Sequence, residues 1–239
     1  MKPVELSIVI PAYNEAKRIG KTIDQILVFL KDQPYQAEII VSDDGSKDET
    51  REIARQKLKG SLHKILESTT NLGKGHAVKI GMLSAQGKFL LFSDADLSTP
   101  IEEVNPFMRS LRDGYDCVIG SRALDRSRIK IRQNLIREHM GKTFNRLARM
   151  FSFKNIRDSQ CGFKCFRREV AIDLFSRQKL EGFSFDAEVL YLAQRRGYKI
   201  LESPVVWRND PQSKVRMFRD SLKMFQDIMR IRWIHRNER

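Results

Sequence analysis

The sequence reads as an α/β protein built on a mostly parallel, doubly wound sheet. Short β-rich apolar runs alternate with segments of helical periodicity, and three of those runs end in polar turns rich in carboxylates. In open sheets of this kind ligands bind in the crevice outside the strand C-termini. At 239 residues the chain can bury a full core as one domain, read here as residues 1–210 followed by a basic helix over 211–239.

Leu6-Ser-Ile-Val-Ile10 is the first strand, ending at Pro11-Ala-Tyr-Asn-Glu15. Ile19, Ile23, Ile26, Leu27 and Leu30 then recur at helical spacing. Ala37–Ser42 is a second strand, ending at Asp43-Asp44-Gly45-Ser46, and Ser46-Lys-Asp-Glu49 has the spacing of a capping box that would start the next helix. A third strand over 62–67 leads through Asn71-Leu-Gly-Lys-Gly75 into a helix carrying Ala77, Ile80, Gly81 and Leu83. Gly73-Lys74-Gly75 lacks the spacing of a P-loop, and no early G-x-G-x-x-G appears, so kinase-like and dinucleotide readings lose support.

The strand Lys88–Phe92 delivers Asp94-Ala95-Asp96. In a continuous strand two such side chains stand about 7 Å apart, so they converge on one object only across a bend, which small Ala95 permits. Converging carboxylates repel unless a cation joins them, and hard oxygen ligands suit Mg²⁺ or Mn²⁺ on a diphosphate. The same stretch also fits a solvated turn before the helix start at Thr99-Pro100. Asp113–Gly120 is a further turn and strand, Asp158–Phe166 a turn into a strand, Phe183–Glu188 a helix start, and 198–207 an extended stretch.

The formal charge of +14 is localised. Eleven Lys/Arg face two carboxylates over Arg122–Arg157, eight face three over Pro211–Arg239, and the remainder balances. Both stretches carry apolar faces: Met140, Phe144, Leu147, Ala148 and Phe151 in the first, Val215, Phe218, Leu222, Phe225 and Met229 in the second. They suit helices lying in a headgroup region, packing on the domain, or joining a homodimer. No helix-turn-helix, zinc or RNP signature accompanies the charge, so a nucleic-acid module is disfavoured. Three cysteines without a second metal-ligand cluster fit a reduced, cytoplasmic setting. No span is long and apolar enough for a membrane helix, and Met1-Lys2-Pro3 leads directly into a strand without the pattern of a signal peptide.

Pro11–Glu15, Asp43–Ser46, Asn71–Gly75, Asp94–Asp96, Gly120-Ser-Arg122 and Asp158-Ser-Gln-Cys-Gly-Phe-Lys164, in that order, resemble glycosyltransferase family 2. Within it, the chain is similar to the polyprenyl-phosphate hexosyltransferases, and Ser159–Lys164 with Phe185-Asp-Ala-Glu188 resembles the branch that glucosylates dolichyl phosphate. The resemblance spans residues 5–232, without the membrane anchor that many relatives carry.

It implies a GT-A (Rossmann-like) fold and inverting transfer of a hexose, glucose from UDP-glucose being favoured, onto a polyprenyl or dolichyl phosphate at the cytoplasmic membrane face. GDP-mannose as donor, or a soluble glycan as acceptor, is the alternative. By the same resemblance Pro11, Tyr13 and Glu15 line the nucleoside pocket, and Asp44, with Asp43, meets the base. Lys74 belongs to the nucleotide-sugar site. Asp96 ligates the metal, Asp94 contacts ribose or metal, and Ser98 stands where a third metal contact could arise. Asp158 and Gln160 lie toward the sugar and acceptor phosphate, and Asp186 is the residue to serve as base where one is needed. A phosphate acceptor, largely ionised at neutral pH, needs cations to hold it more than a base, which makes Arg122, Arg132 and Arg137 the candidates to grip it.

Overall fold

The structure, a computed structural model, describes residues 3–131, 155–208 and 217–237, with side chains of 217–225 excluded. Seven strands form one sheet in the order β3-β2-β1-β4-β7-β5-β8: β1 Val4–Ala12, β2 Gln36–Asp43, β3 His63–Glu67, β4 Phe89–Ser93, β5 Cys117–Ser121, β7 Phe163–Arg167 and β8 Ile200–Pro204. β7 runs antiparallel to both β4 and β5, and the other pairings are parallel. β6 Ile129–Ile131 and β9 Trp207–Arg208 make a separate two-stranded ribbon.

Helices cover both faces, which is why the strands read as apolar runs rather than alternating ones. Ile8 and Ile10 face one core, with Ile19 and Ile23 of α1 (Ile19–Lys31), α2 (Thr50–Leu58) and Phe107 of α4 (Val104–Arg112). Val9 and Phe92 face the other, with Val78 of α3 (Lys74–Ser84), Phe175 of α5 (Arg168–Arg177), Leu190 of α6 (Phe185–Arg195) and Ile228 of α7 (Met217–Ile234).

One local expectation changes. Ser46 does not cap α2: that helix starts at Thr50 with no side-chain cap on Glu49, and the Ser46 hydroxyl accepts the Asn14 N–H at 2.8 Å instead. Leu83 of α3 lies on the outside, while Val78 and Met82 join Ala77 and Gly81 inside. Met229 is 47 % exposed, while Ile228 and Ile231 of α7, and His235 just beyond it, are buried against the domain. Buried pairs fasten it: Ser184 Oγ donates to Asp227 Oδ2 at 2.8 Å, and His235 Nε2 lies 2.6 Å from Glu188 Oε1. Val215, and the helix expected around Met140–Phe151 with Arg132 and Arg137, lie outside the described residues, as do the side chains of Phe218, Leu222 and Phe225. Among the described residues no helix is long and apolar enough to cross a membrane.

Candidate active site

β1 lies between β2 and β4, with Ala12 opposite Asp43 and Val9 opposite Phe92. The winding of the sheet reverses between β1 and β4, so a crevice opens at the C-terminal ends of these strands. The loops after β1 and β2 are stitched together there. Asn14 takes the left-handed conformation (φ 51°), and its Oδ1 accepts the Lys47 N–H at 2.8 Å, while Glu15 N–H donates to Thr50 Oγ1 at 2.7 Å. The Glu15 carboxylate pairs with Arg18, whose Nη2 is 2.9 Å from Oε1. Pro11, at the end of β1, is buried, and Tyr13 on the loop is half-buried.

The two aspartates after β2 differ in their commitments. Asp44 accepts the Leu72 N–H at 3.0 Å and the Gly73 N–H at 2.7 Å, fixing the loop that carries Lys74. Asp43 Oδ2 accepts the Ser46 N–H at 3.0 Å, whereas its buried Oδ1 has no hydrogen-bond donor among the described residues.

The Asp94–Asp96 turn has the bend the sequence required. Leu97 (φ 44°) closes it, its N–H reaching Asp94 O at 3.1 Å, and Ala95 O accepts the Thr22 hydroxyl at 2.6 Å. Asp96 Oδ1 accepts the Ser98 N–H at 2.9 Å, so Ser98 is the support of Asp96. Burial pushes the Asp96 carboxyl above its usual range, and the neighbouring Asp94 charge adds to the rise. Asp94 Oδ1 lies 2.6 Å from Lys74 Nζ; burial works against that ammonium, but Asp94 and Asp186 hold its pKa above the ordinary value.

Two adjacent hard carboxylates, one already paired with an ammonium, form a donor set that fits a divalent cation. Among the described residues no group of three His, Cys, Asp or Glu could hold one. Remaining coordination sites would then fall to substrate and water, as is usual for Mg²⁺.

Asp94 is also pinned from the β7 side. Its N–H donates to Gly162 O at 3.1 Å, and a Cβ built on Gly162 would stand 2.0 Å from Asp94 Oδ2. Gly162→Ala is therefore expected to displace the Asp94 carboxylate and lower transferase activity by at least about tenfold, while the melting temperature moves far less than for a core substitution. Initial rates with thermal unfolding check this.

Behind the turn lies an ion pair that sequence reasoning missed. Lys164 of β7 is fully buried; it donates to Cys161 O at 2.6 Å and to Asp186, which is 3 % exposed, and it sits 5.2 Å from the centre of the Phe92 ring. Burial pushes the Asp186 carboxyl up, against the downward pull of Lys164 and Lys74. Its only sequence signal was one lysine inside the apolar strand Phe163-Lys-Cys-Phe166.

Arg122 is likewise committed. Its Nε and Nη2 lie 2.6 and 2.8 Å from the two oxygens of Asp158, and its guanidinium stacks 5.4 Å from the Trp207 ring centre. Glu202 holds the Asp158 N–H at 2.8 Å. Burial would raise the Asp158 carboxyl, but Arg122 overrides it and holds the pKa at about 2. A depressed pKa contributes stability above the unfolded value near 4 that is lost as pH falls through the folded one; here that contribution is about 2 kcal/mol. The stability gap between wild type and Asp158→Asn is expected to narrow between about pH 4 and 2, read from urea midpoints. Gln160 keeps a buried Nε2 with no hydrogen-bond acceptor among the described residues.

The site's frame is a mostly parallel sheet with an Asp-x-Asp turn at its topological switch point. Residues 7–175 match glycosyl transferase family 2, and the chain belongs to that family. It is 36 % identical over 243 residues to the dolichyl-phosphate beta-glucosyltransferase of Dictyostelium discoideum, covering 96 % of this chain and 74 % of that one. The Homo sapiens protein of the same name is 35 % identical, with 95 % and 75 % covered. The Saccharomyces cerevisiae one is also 35 % identical, with 95 % and 74 % covered. Among solved structures, Mycobacterium tuberculosis glucosyl-3-phosphoglycerate synthase superposes with a TM-score of 0.69 at 20 % identity, over 95 % of this chain and 79 % of that one. Its complex with Mn²⁺, UDP and glucosyl-3-phosphoglycerate gives 0.65 at 22 %, over 95 % and 78 %. That likeness establishes the fold. The chain is a glycosyltransferase.

Proposed function

We propose that this glycosyltransferase moves glucose from UDP-glucose, with inversion, onto dolichyl phosphate. The observation that carries the reading is the relation, over at least 95 % of this chain and about three quarters of each relative, to dolichyl-phosphate beta-glucosyltransferases of three organisms, combined with an intact Asp94-x-Asp96 turn at the switch point.

The donor's base meets Asp43, whose unpartnered buried Oδ1 suits the ring N–H of a uracil. Asp44, with both oxygens spent on backbone, shapes the Lys74 loop, and Pro11, Tyr13 and Glu15 wall the nucleoside. Asp94 and Asp96, with Ser98 steadying Asp96, would hold Mg²⁺ or Mn²⁺, which the M. tuberculosis complex with Mn²⁺ and UDP favours by analogy. Such an ion supplies charge stabilisation for the departing diphosphate. Lys74 adds a second cation on that side.

On the acceptor side a phosphate monoester with a second pKa near about 6 is already mostly ionised, so no residue has to deprotonate it. Arg122 grips it, oriented by Asp158 and Trp207; Asp158, ionised at neutral pH, repels phosphate and acts only through Arg122. Gln160 Nε2 is a donor for a substrate oxygen, and Arg132 and Arg137 complete the cationic set. Asp186 is the counter-ion of Lys164 and takes no proton from this acceptor.

Contact with the membrane falls to α7, where Met229 and Trp233 (62 % exposed) stand among exposed Arg230, Arg232 and Arg236. Trp233→Ala with Arg230→Ala and Arg232→Ala is expected to cut binding to vesicles containing phosphatidylserine by at least about tenfold, at about 1 kcal/mol per basic residue, in a sedimentation assay.

The functional test is a panel of radiolabelled nucleotide sugars with dolichyl phosphate in detergent. Label from UDP-glucose in the organic phase supports the reading; label only from GDP-mannose, or only in an added soluble glycan, replaces it.

A further inference from the structure

The contact between Lys74 and Asp94 has a consequence for the order of binding, and it rests on the metal-and-nucleotide reading above. Lys74 Nζ is 2.6 Å from Asp94 Oδ1. The whole Asp94 carboxylate lies against Gly162, where a Cβ would stand 2.0 Å from Oδ2 and 2.6 Å from Oδ1, so the group is confined on that side and Lys74 already occupies one of its two oxygens. We propose that Lys74 and the divalent cation compete for Asp94 Oδ1, so that Lys74 closes the metal site until a diphosphate offers its ammonium another partner.

The charges around the turn favour this exchange. Lys74 and Lys164 face Asp94, Asp96 and Asp186, a formal charge of −1 that is tolerable without metal. A divalent cation added with Lys74 still in place would set two cations on one carboxylate, a repulsion strengthened by burial. The diphosphate of a nucleotide sugar relieves it by taking the ammonium. Lys74 is built to move between the two. It sits at the first position of α3, after Gly73 (φ 121°), on a flexible four-carbon stem whose side chain is 20 % exposed, and its ammonium lies 5.9 Å from the Phe185 ring centre. The base of that stem is anchored: Asp44 holds the Gly73 N–H, and Glu181 O accepts the His76 N–H at 3.2 Å. Cation and nucleotide sugar consequently enter together, and by linkage each raises the other's affinity equally.

Titration calorimetry with Mn²⁺ alone, on the full chain, tests this. Lys74→Met removes the competing charge and is expected to bind Mn²⁺ at least about tenfold more tightly than wild type without nucleotide. Lys74→Arg, which keeps the charge, stays within about threefold of wild type. With UDP present the advantage of Lys74→Met disappears or reverses, because the diphosphate has lost a cation. Unchanged or weaker Mn²⁺ binding in Lys74→Met, or no binding in either protein, overturns the competition. Asp96→Ala separates the two levels: Mn²⁺ bound equally well without Asp96 means that the metal reading itself has failed, whatever Lys74 does.

Discussion

Asp96→Ala is expected to lower transfer by about 10²–10³-fold, the scale seen when one preorganised stabiliser of transition-state charge is removed. Its effect on the fold goes the other way. Asp96 is buried beside Asp94, and both burial and that neighbour push its carboxyl up, so the ionised side chain opposes folding at neutral pH. A carboxyl whose folded pKa is raised costs stability as pH climbs through the unfolded and then the folded value, and deleting it removes that cost. A melting temperature equal to or above wild type, with transfer lost, is the expected pair of results from thermal unfolding and initial rates. A variant that loses both would instead mark Asp96 as a structural residue.

Lys164→Met is expected to cost roughly 3–5 kcal/mol, because it strips the buried Asp186 carboxylate of its hydrogen-bonded ion-pair partner. For a chain of this size that corresponds to a drop of roughly 10 °C in melting temperature. Lys164→Met combined with Asp186→Leu removes both charges and should regain most of the loss, since apolar replacements of buried ion pairs are often neutral or better. Activity of the double variant separates two roles for Asp186. A counter-ion only leaves transfer to dolichyl phosphate within about tenfold of wild type, whereas a general base loses about 10²–10⁴-fold in a protein that still melts normally.

The sheet was legible in the sequence because strands covered on both faces must be apolar throughout, and runs such as Phe89–Phe92 admit few other readings. The bend between Asp94 and Asp96 was legible because two carboxylates follow directly on a buried strand and small Ala95 lets the chain turn between them. Partnerships across the chain were not legible. Ser46 looked like a helix cap since a local pattern cannot show that Asn14, 32 residues away, claims its hydroxyl. Arg122 and Asp158 were both picked out, yet not as each other's partner, because their pairing depends on a loop after β5 meeting the turn before β7. Lys164 passed unnoticed because only the position of β7 beside β4 brings it to Asp186. On α7, spacing left open whether the face of Met229 packs on the domain or turns outward; Met229 is exposed, and the domain takes the adjacent stripe of Ile228 and Ile231.

The most direct measurement compares dolichyl phosphate with dolichol as acceptor for radiolabelled UDP-glucose, in detergent with Mn²⁺ or Mg²⁺ and with EDTA as control. An acceptor gripped by arginines and needing no base gives labelled lipid from dolichyl phosphate alone, abolished by EDTA. Equal labelling of dolichol, whose hydroxyl must lose a proton to react, would contradict a phosphate acceptor held by Arg122 and return Asp186 to the role of base.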